Sequence, residues 1–250
     1  MSEVKIAPIP DLGQRTDEIT IYAGPCSVES AEQFDEVAEC IADLGLTWIR
    51  GGAFKPRTNP HSFQGLGEEA LKIMKSAGDR YNLKTLTEVM DSAHCQLVAD
   101  YVDGLQVGAR NFQNFSLLKK IGEVTADTHQ MVLYKRGFAG TIAEWLAATD
   151  YITDHGNTNV VLCERGIRTF ETATRFTLDI AAVPVIHKQS LYPVCIDVSH
   201  PAGQRDLVPS LAKAAVAAGA DSLMIEVHPN PPVALSDGPQ QLTPAQFREL

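Results

Sequence analysis

The sequence predicts an α/β protein built as one (β/α)8 TIM barrel. Three observations predict it. Eight short runs rich in apolar and β-branched residues alternate with stretches of helical periodicity along 250 residues. No glycine-rich dinucleotide fingerprint follows the first run, which argues against a doubly wound open sheet. Polar or reactive residues stand at the C-terminal end of every predicted strand, and a barrel collects those ends on one face.

The elements follow in order. The first strand, residues 19–23, runs into Gly24-Pro25-Cys26-Ser27. A helix over 30–44 opens with Ser30, a good N-cap, and stops before Gly45. The second strand, 47–50, ends in Arg50. It enters the loop RGGAFKPRTNPHSFQGLG at 50–67, which glycine and proline keep from being one helix. A helix over 66–77 leads to the strand at 84–87, which delivers Glu88. The helix over 91–100 precedes the strand at 104–107, which carries Gln106 and leads to Arg110. After a helix over 115–122, the strand at 131–134 delivers Lys135 and Arg136. The helix over 141–154 precedes the strand at 160–163, which delivers Glu164 and Arg165. A helix is expected over 170–180. The strand at 194–197 ends in Asp197, with His200 just beyond. A helix over 207–218 leads to the last strand, 223–226, which ends in Glu226 with His228 beyond. The proline-rich stretch 229–241 reads as a loop, and an eighth helix spans 243–250. That helix is short, so it is expected to lean on further chain or on a neighbouring subunit.

A hydrophobic fraction of 44% supplies a substantial core, and a formal net charge of −10 argues against nucleic acid or anionic membrane as a partner. The five cysteines are odd in number and form no Cys-x-x-Cys pair, so neither a disulfide framework nor a structural zinc motif is read. The N-terminal residues 1–14 lack the pattern of a secretory signal. No apolar run is long enough to span a bilayer. A reducing, cytoplasmic setting is expected.

In this acidic chain, Arg50, Lys55 and Arg57 fall within eight residues, and Arg110, Lys135 and Arg165 join them at the same predicted mouth. So many cations repel one another unless carboxylates or an anionic ligand compensate. The set therefore predicts one or two substrates carrying several negative charges, phosphates above all. The alternative for each arginine is a neighbouring carboxylate. Cys26, His200, Glu226 and Asp237 form a second set, from the ends of the first, seventh and eighth strands and the loop beyond. Thiolate, imidazole and two carboxylates suit a divalent ion such as Mn, Fe, Co or Zn better than Mg. Other readings stay open here: Cys26 as a small buried residue, His200 as a general acid, and His228 as a rival ligand.

The segments AGPCSVES, RGGAFKPRTNPHSFQGLG, EVMD, QVGARNFQN, YKRG, CERGIRTFE, DVSHPAGQR and IEVHPNPPVALSDGPQ span nearly the whole chain in order. Together they resemble 3-deoxy-D-arabino-heptulosonate 7-phosphate (DAHP) synthase, in the β-type subgroup of its type I form. The resemblance implies a metal-dependent barrel that condenses phosphoenolpyruvate with erythrose 4-phosphate, the first step of the shikimate pathway and of aromatic amino acid biosynthesis. It implies a transferase that forms homodimers or homotetramers. Carried over by position, Cys26, His200, Glu226 and Asp237 are the metal ligands. Arg50, Lys55 and Lys135 surround the phosphoenolpyruvate carboxylate, and Arg110, Lys135 and Arg165 clamp its phosphate. Pro56, Arg57 and Thr58 belong to the erythrose 4-phosphate site. Lys55, Lys135 and His200 are the catalytic candidates, with Lys135 and His200 as proton carriers; a lysine in that role needs a depressed pKa.

The related 3-deoxy-D-manno-octulosonate 8-phosphate synthases carry an Ala-Asn-Arg-Ser-Ser type loop where this chain has Lys55-Pro56-Arg57-Thr58. Residues 1–250 read as a catalytic barrel without a regulatory extension. Val198 replaces a common proline and Tyr134 a common leucine, both expected to be local packing changes. The rival functions are an octulosonate-type or sialate-type synthase, a Schiff-base aldolase acting through Lys135, and a non-catalytic barrel.

Overall fold

The computed structural model describes residues 19–57 and 59–250. Residues 1–14, read above for a signal, and Thr58 lie outside the described residues. Eight parallel strands close into one barrel in sequence order. They are β1 (Thr20–Gly24), β2 (Trp48–Arg50), β3 (Lys84–Glu88), β4 (Gly104–Val107), β5 (Met131–Lys135), β6 (Val160–Glu164), β7 (Val194–Asp197) and β8 (Ser222–Glu226). Closure is made by β1 against β8, in register from Thr20 opposite Ser222 to Gly24 opposite Glu226.

Side chains alternate across each strand. Tyr22, Leu86, Met131, Leu133, Val161, Cys163, Cys195 and Met224 fill the barrel interior. Their outward neighbours, among them Ile49, Leu105, Val132, Leu162 and Ile196, pack in the helix-facing core. Arg50, Glu88, Lys135, Glu164, Asp197 and Glu226 are the last residues of their strands. The apolar plug therefore ends where a charged layer begins.

The helices are α1 (Ala31–Asp43), α2 (Glu68–Tyr81), α3 (Cys95–Ala99), α4 (Phe115–Thr125), α5 (Ile142–Thr153), α6 (Ala182–Gln189), α7 (Ser199–Ala202), α8 (Val208–Ala217) and α9 (Pro244–Glu249). Ser30 caps α1 by accepting from the Gln33 N–H at 3.1 Å. Thr141 with Glu144, and Thr243 with Gln246, form capping boxes on α5 and α9. Among the described residues, no helix is long and apolar enough to cross a membrane.

The structure corrects one expected helix. Residues 170–180 are not helical; they form a loop closed by an antiparallel bridge between Ile167 and Thr177. The run is rich in threonine, which costs rotamer freedom in a helix and competes for backbone partners. The true helix, α6, starts at Ala182 and keeps Pro184 in its first turn, where a missing N–H costs little. A second difference is α7, a single unexpected turn that carries His200. In addition, the helix expected over 91–100 is a 3-10 turn, Ser92–His94, followed by the short α3.

Candidate active site

The C-terminal mouth of the barrel holds a cavity of about 300 Å³ whose lining includes Arg50, Lys55, Pro56, Arg57, Arg110, Lys135, Arg165 and His200. The close turn after β1 shapes one wall. Gly24 has φ +148°, and a Cβ there would lie 1.9 Å from the Arg50 carbonyl oxygen, so only glycine lets the backbones approach this closely. The chain then delivers Cys26 to the floor. Its N–H donates to Gln241 Oε1 at 3.0 Å, and its carbonyl accepts from Lys55 Nζ at 2.9 Å.

The cations divide into two groups. Arg50 pairs with Glu226 at 3.3 Å, and Lys135 pairs with Asp197 at 2.8 Å. Lys55 Nζ donates to Cys26 Sγ at 3.0 Å. By contrast, among the described residues Arg57, Arg110 and Arg165 have no carboxylate within ion-pair distance. Arg165 is held instead by aromatic faces, 4.9 Å from the Phe138 ring centroid and 4.1 Å from that of Phe176. Burial pushes its pKa below the ordinary guanidinium value. Arg110 lies 5.8 Å from the Phe138 centroid. The carboxylate alternative thus fails for these three, and their unpaired charge faces a cavity sized for small anions.

Cys26, His200, Glu226 and Asp237 converge, with one candidate donor atom from each lying within 4.8 Å of all the others. Cys26 Sγ lies 3.4 Å from Asp237 Oδ2. His200 Nε2 lies 3.5 Å from Glu226 Oε1 and 3.8 Å from Asp237 Oδ2. His200 Nδ1 faces Asp197 Oδ2 at 2.6 Å, which turns Nε2 toward the other donors. Burial lowers the His200 pKa and so favours the neutral imidazole that a metal needs. Burial pushes the Cys26 thiol up to about 12, with Glu226 adding to the shift. Loading the group with a metal as thiolate therefore releases a proton. Burial would also raise Asp237, but His200 and Arg175 hold its carboxyl well below the usual range. A mixed sulfur, nitrogen and oxygen set this compact fits a borderline divalent ion.

His228 lies outside the group. Its Nε2 is 3.3 Å from Glu29 Oε2, and its Nδ1 accepts from the Asn230 N–H at 3.0 Å. Glu29 also accepts from the Leu235 N–H at 2.8 Å, so the pair anchors the loop that presents Asp237. Lys135 departs from the depressed pKa expected of a proton carrier. Burial alone would lower it, but Asp197 holds it above its ordinary value.

Sequence reasoning missed Arg175, Phe176 and Gln240. Arg175 NH1 lies 3.2 Å from Asp237 Oδ2 and donates to Gln240 Oε1 at 2.8 Å. Gln240 Nε2 donates to Glu226 Oε2 at 2.7 Å. The signal for the first two lay in the threonine-rich run read as helix. Glu88 also lines the cavity, where it accepts from Gln106 Nε2 at 3.2 Å while its Oε1 has no partner.

Comparison with known proteins decides the family. The profile of the DAHP synthetase I family matches residues 12–250. The chain belongs to that family. It is 52% identical over 231 residues to a phospho-2-dehydro-3-deoxyheptonate aldolase of Thermotoga maritima, covering 92% of this chain and 67% of the relative. A 2-dehydro-3-deoxyphosphooctonate aldolase of Caulobacter vibrioides is 32% identical over 258 residues, covering 94% of this chain and 85% of the relative. The crystal structure of the Thermotoga enzyme, DAHP synthase, superposes with a TM-score of 0.88 at 52% identity, covering 92% of this chain and 66% of that one. A truncated form of the Thermotoga synthase gives a TM-score of 0.84 at 48% identity, covering 92% of this chain and 83% of that one. The chain thus spans about two thirds of the full-length Thermotoga protein. Membership in this family fits a metal-dependent enzyme, and the convergent group described above is a candidate donor set for the ion.

Proposed function

We propose that the protein condenses phosphoenolpyruvate with erythrose 4-phosphate and water to give DAHP and phosphate, the first step of the shikimate pathway. The observation that carries this reading is the juxtaposition in one cavity of unpaired cations, at Arg57, Arg110 and Arg165, with a four-donor metal group. Cys26, His200, Glu226 and Asp237 would hold the ion, with Mn, Fe, Co or Zn as the candidates. When bound, it supplies Lewis-acid polarisation of the aldehyde.

In this reading Arg50, Lys55 and Lys135 orient the phosphoenolpyruvate carboxylate, and Arg110, Lys135 and Arg165 hold its phosphate. Pro56, Arg57 and Thr58 receive erythrose 4-phosphate. The methylene carbon of phosphoenolpyruvate attacks the aldehyde carbon, and water adds to the former enol carbon. The hemiketal then loses phosphate by C–O cleavage. Fixing two mutually repelling anions at reacting distance is the main contribution of the cationic wall. Lys135, kept charged by Asp197, serves as an electrostatic clamp or as an acid, while His200 is better placed as a donor to the metal than as a base.

The same pairing disfavours a Schiff-base aldolase, because a nucleophilic lysine must give up its proton. The octulosonate reaction is the second reading, since octulosonate enzymes are relatives at about 32% identity. The Lys55-Pro56-Arg57 loop and the 52% identity to a heptonate enzyme favour erythrose 4-phosphate. A cytoplasmic setting belongs to the same proposal and accords with five free buried thiols. So does a homodimer or homotetramer, which would cover exposed apolar side chains such as Val233 and Phe170. Sedimentation analysis tests the assembly. Consumption of phosphoenolpyruvate with each aldose phosphate, with and without chelator, tests the reaction.

A further inference from the structure

Three donors of the convergent group, the Cys26 sulfur and the Glu226 and Asp237 carboxylates, each touch their own cation from the cavity wall. Lys55 Nζ lies 3.0 Å from Cys26 Sγ, Arg50 NH1 lies 3.3 Å from Glu226 Oε1, and Arg175 NH1 lies 3.2 Å from Asp237 Oδ2. All three cations also line the anion cavity. The metal group and the anion cavity therefore share these three cations.

That sharing has an energetic consequence. A divalent ion entering the donor group meets three positive charges already paired with its ligands, in a buried setting where repulsion is poorly screened. An anion in the cavity attracts the same three side chains and offsets that repulsion. Conversely, a metal that satisfies the donors frees the cations for the anion. Arg175 is well placed for this role. It reaches Asp237 directly and, through Gln240, reaches Glu226. It also stands on the loop whose next residue, Phe176, stacks on Arg165.

We propose that metal and anion binding are reciprocally coupled through Arg50, Lys55 and Arg175, so that each ligand tightens the other. The inference rests on the reading of the cavity as an anion site beside a divalent ion. By linkage the two enhancement factors must be equal.

The test uses the full chain stripped of metal. Mn2+ affinity is measured from the electron paramagnetic resonance of free Mn2+, with and without sulfate, at ionic strength matched by chloride. Sulfate affinity is measured with and without Mn2+. The expected result is that sulfate tightens Mn2+ by at least about fivefold and Mn2+ tightens sulfate by the same factor. If both bind and neither shifts the other, the coupling is overturned while the anion-site reading stands. If sulfate binds neither form, the anion-site reading falls and the coupling with it. Arg175→Met should tighten Mn2+ alone and shrink the sulfate effect. Equal weakening of Mn2+ with and without sulfate would show that Arg175 only holds Asp237 in place, and would remove it from the coupling.

Discussion

Replacing Asp197 with Asn removes the anion that keeps Lys135 in place. The two side chains are 0% and 4% exposed and 2.8 Å apart. Asp197 Oδ1 also accepts the N–H groups of Ser199 and His200 at 3.2 and 3.0 Å. Asparagine keeps the volume and an oxygen for those amides but loses the charge. Lys135 is then a buried cation without a partner, and breaking such a pair from one side costs about 3–5 kcal/mol. Shedding its proton gives no relief. Lowering a lysine from about 10.4 to 7 costs about 1.4 kcal/mol per unit, or roughly 5 kcal/mol. For a domain of this size each kcal/mol moves the melting point by about 2–4 °C, so a fall of roughly 6–20 °C is expected. The sign with pH follows from the pKa. Burial would raise Asp197, but His200 and Lys135 hold it well below its ordinary value. Its contribution is therefore fully present above the unfolded value of about 3.9 and is lost only as pH falls through the depressed one. Circular dichroism melts of metal-free protein at neutral pH read the effect, with Lys135→Met combined with Asp197→Asn as the control that removes both charges. A single variant melting within about 2 °C of the parent, or a double variant no more stable than the single, would refute the reasoning.

Other outcomes follow from the same geometry. Arg165→Met removes a buried cation that has no carboxylate partner among the described residues, so it should raise the melting point by about 2–4 °C while lowering turnover at least ~100-fold; melts and steady-state kinetics check both. Tyr134→Phe loses the 2.5 Å hydrogen bond to the Phe112 carbonyl, leaving a buried acceptor unpaired at about 1–3 kcal/mol. Its melting point should fall, with kinetic constants unchanged within about twofold. His200→Ala should lower Mn2+ affinity by more than tenfold, whereas His228→Ala, which only loosens the loop presenting Asp237, should lower it several-fold less, as titration calorimetry would show.

Strand periodicity made the barrel legible because the strands are short, mostly apolar, and six of the eight end in a charged residue. The candidate metal group was legible only as four residue types at strand ends and in the loop beyond β8; its closeness depends on β1 closing against β8, which no local pattern encodes. The loop carrying Arg175 was misread because threonine and phenylalanine at helical spacing hid a bridge made 10 residues apart, between Ile167 and Thr177. The high pKa of Lys135 was equally hidden, since Asp197 sits 62 positions away in sequence and two strands over in space. Tyr134, read as a packing change, also carries a specific hydrogen bond that pins the Phe112 backbone.

The most direct test of the account measures phosphoenolpyruvate consumption by metal-loaded protein with erythrose 4-phosphate and, separately, with arabinose 5-phosphate, each with and without EDTA. Turnover with erythrose 4-phosphate is expected, abolished by EDTA and restored by Mn2+. Turnover with arabinose 5-phosphate alone, or turnover indifferent to EDTA, would contradict it.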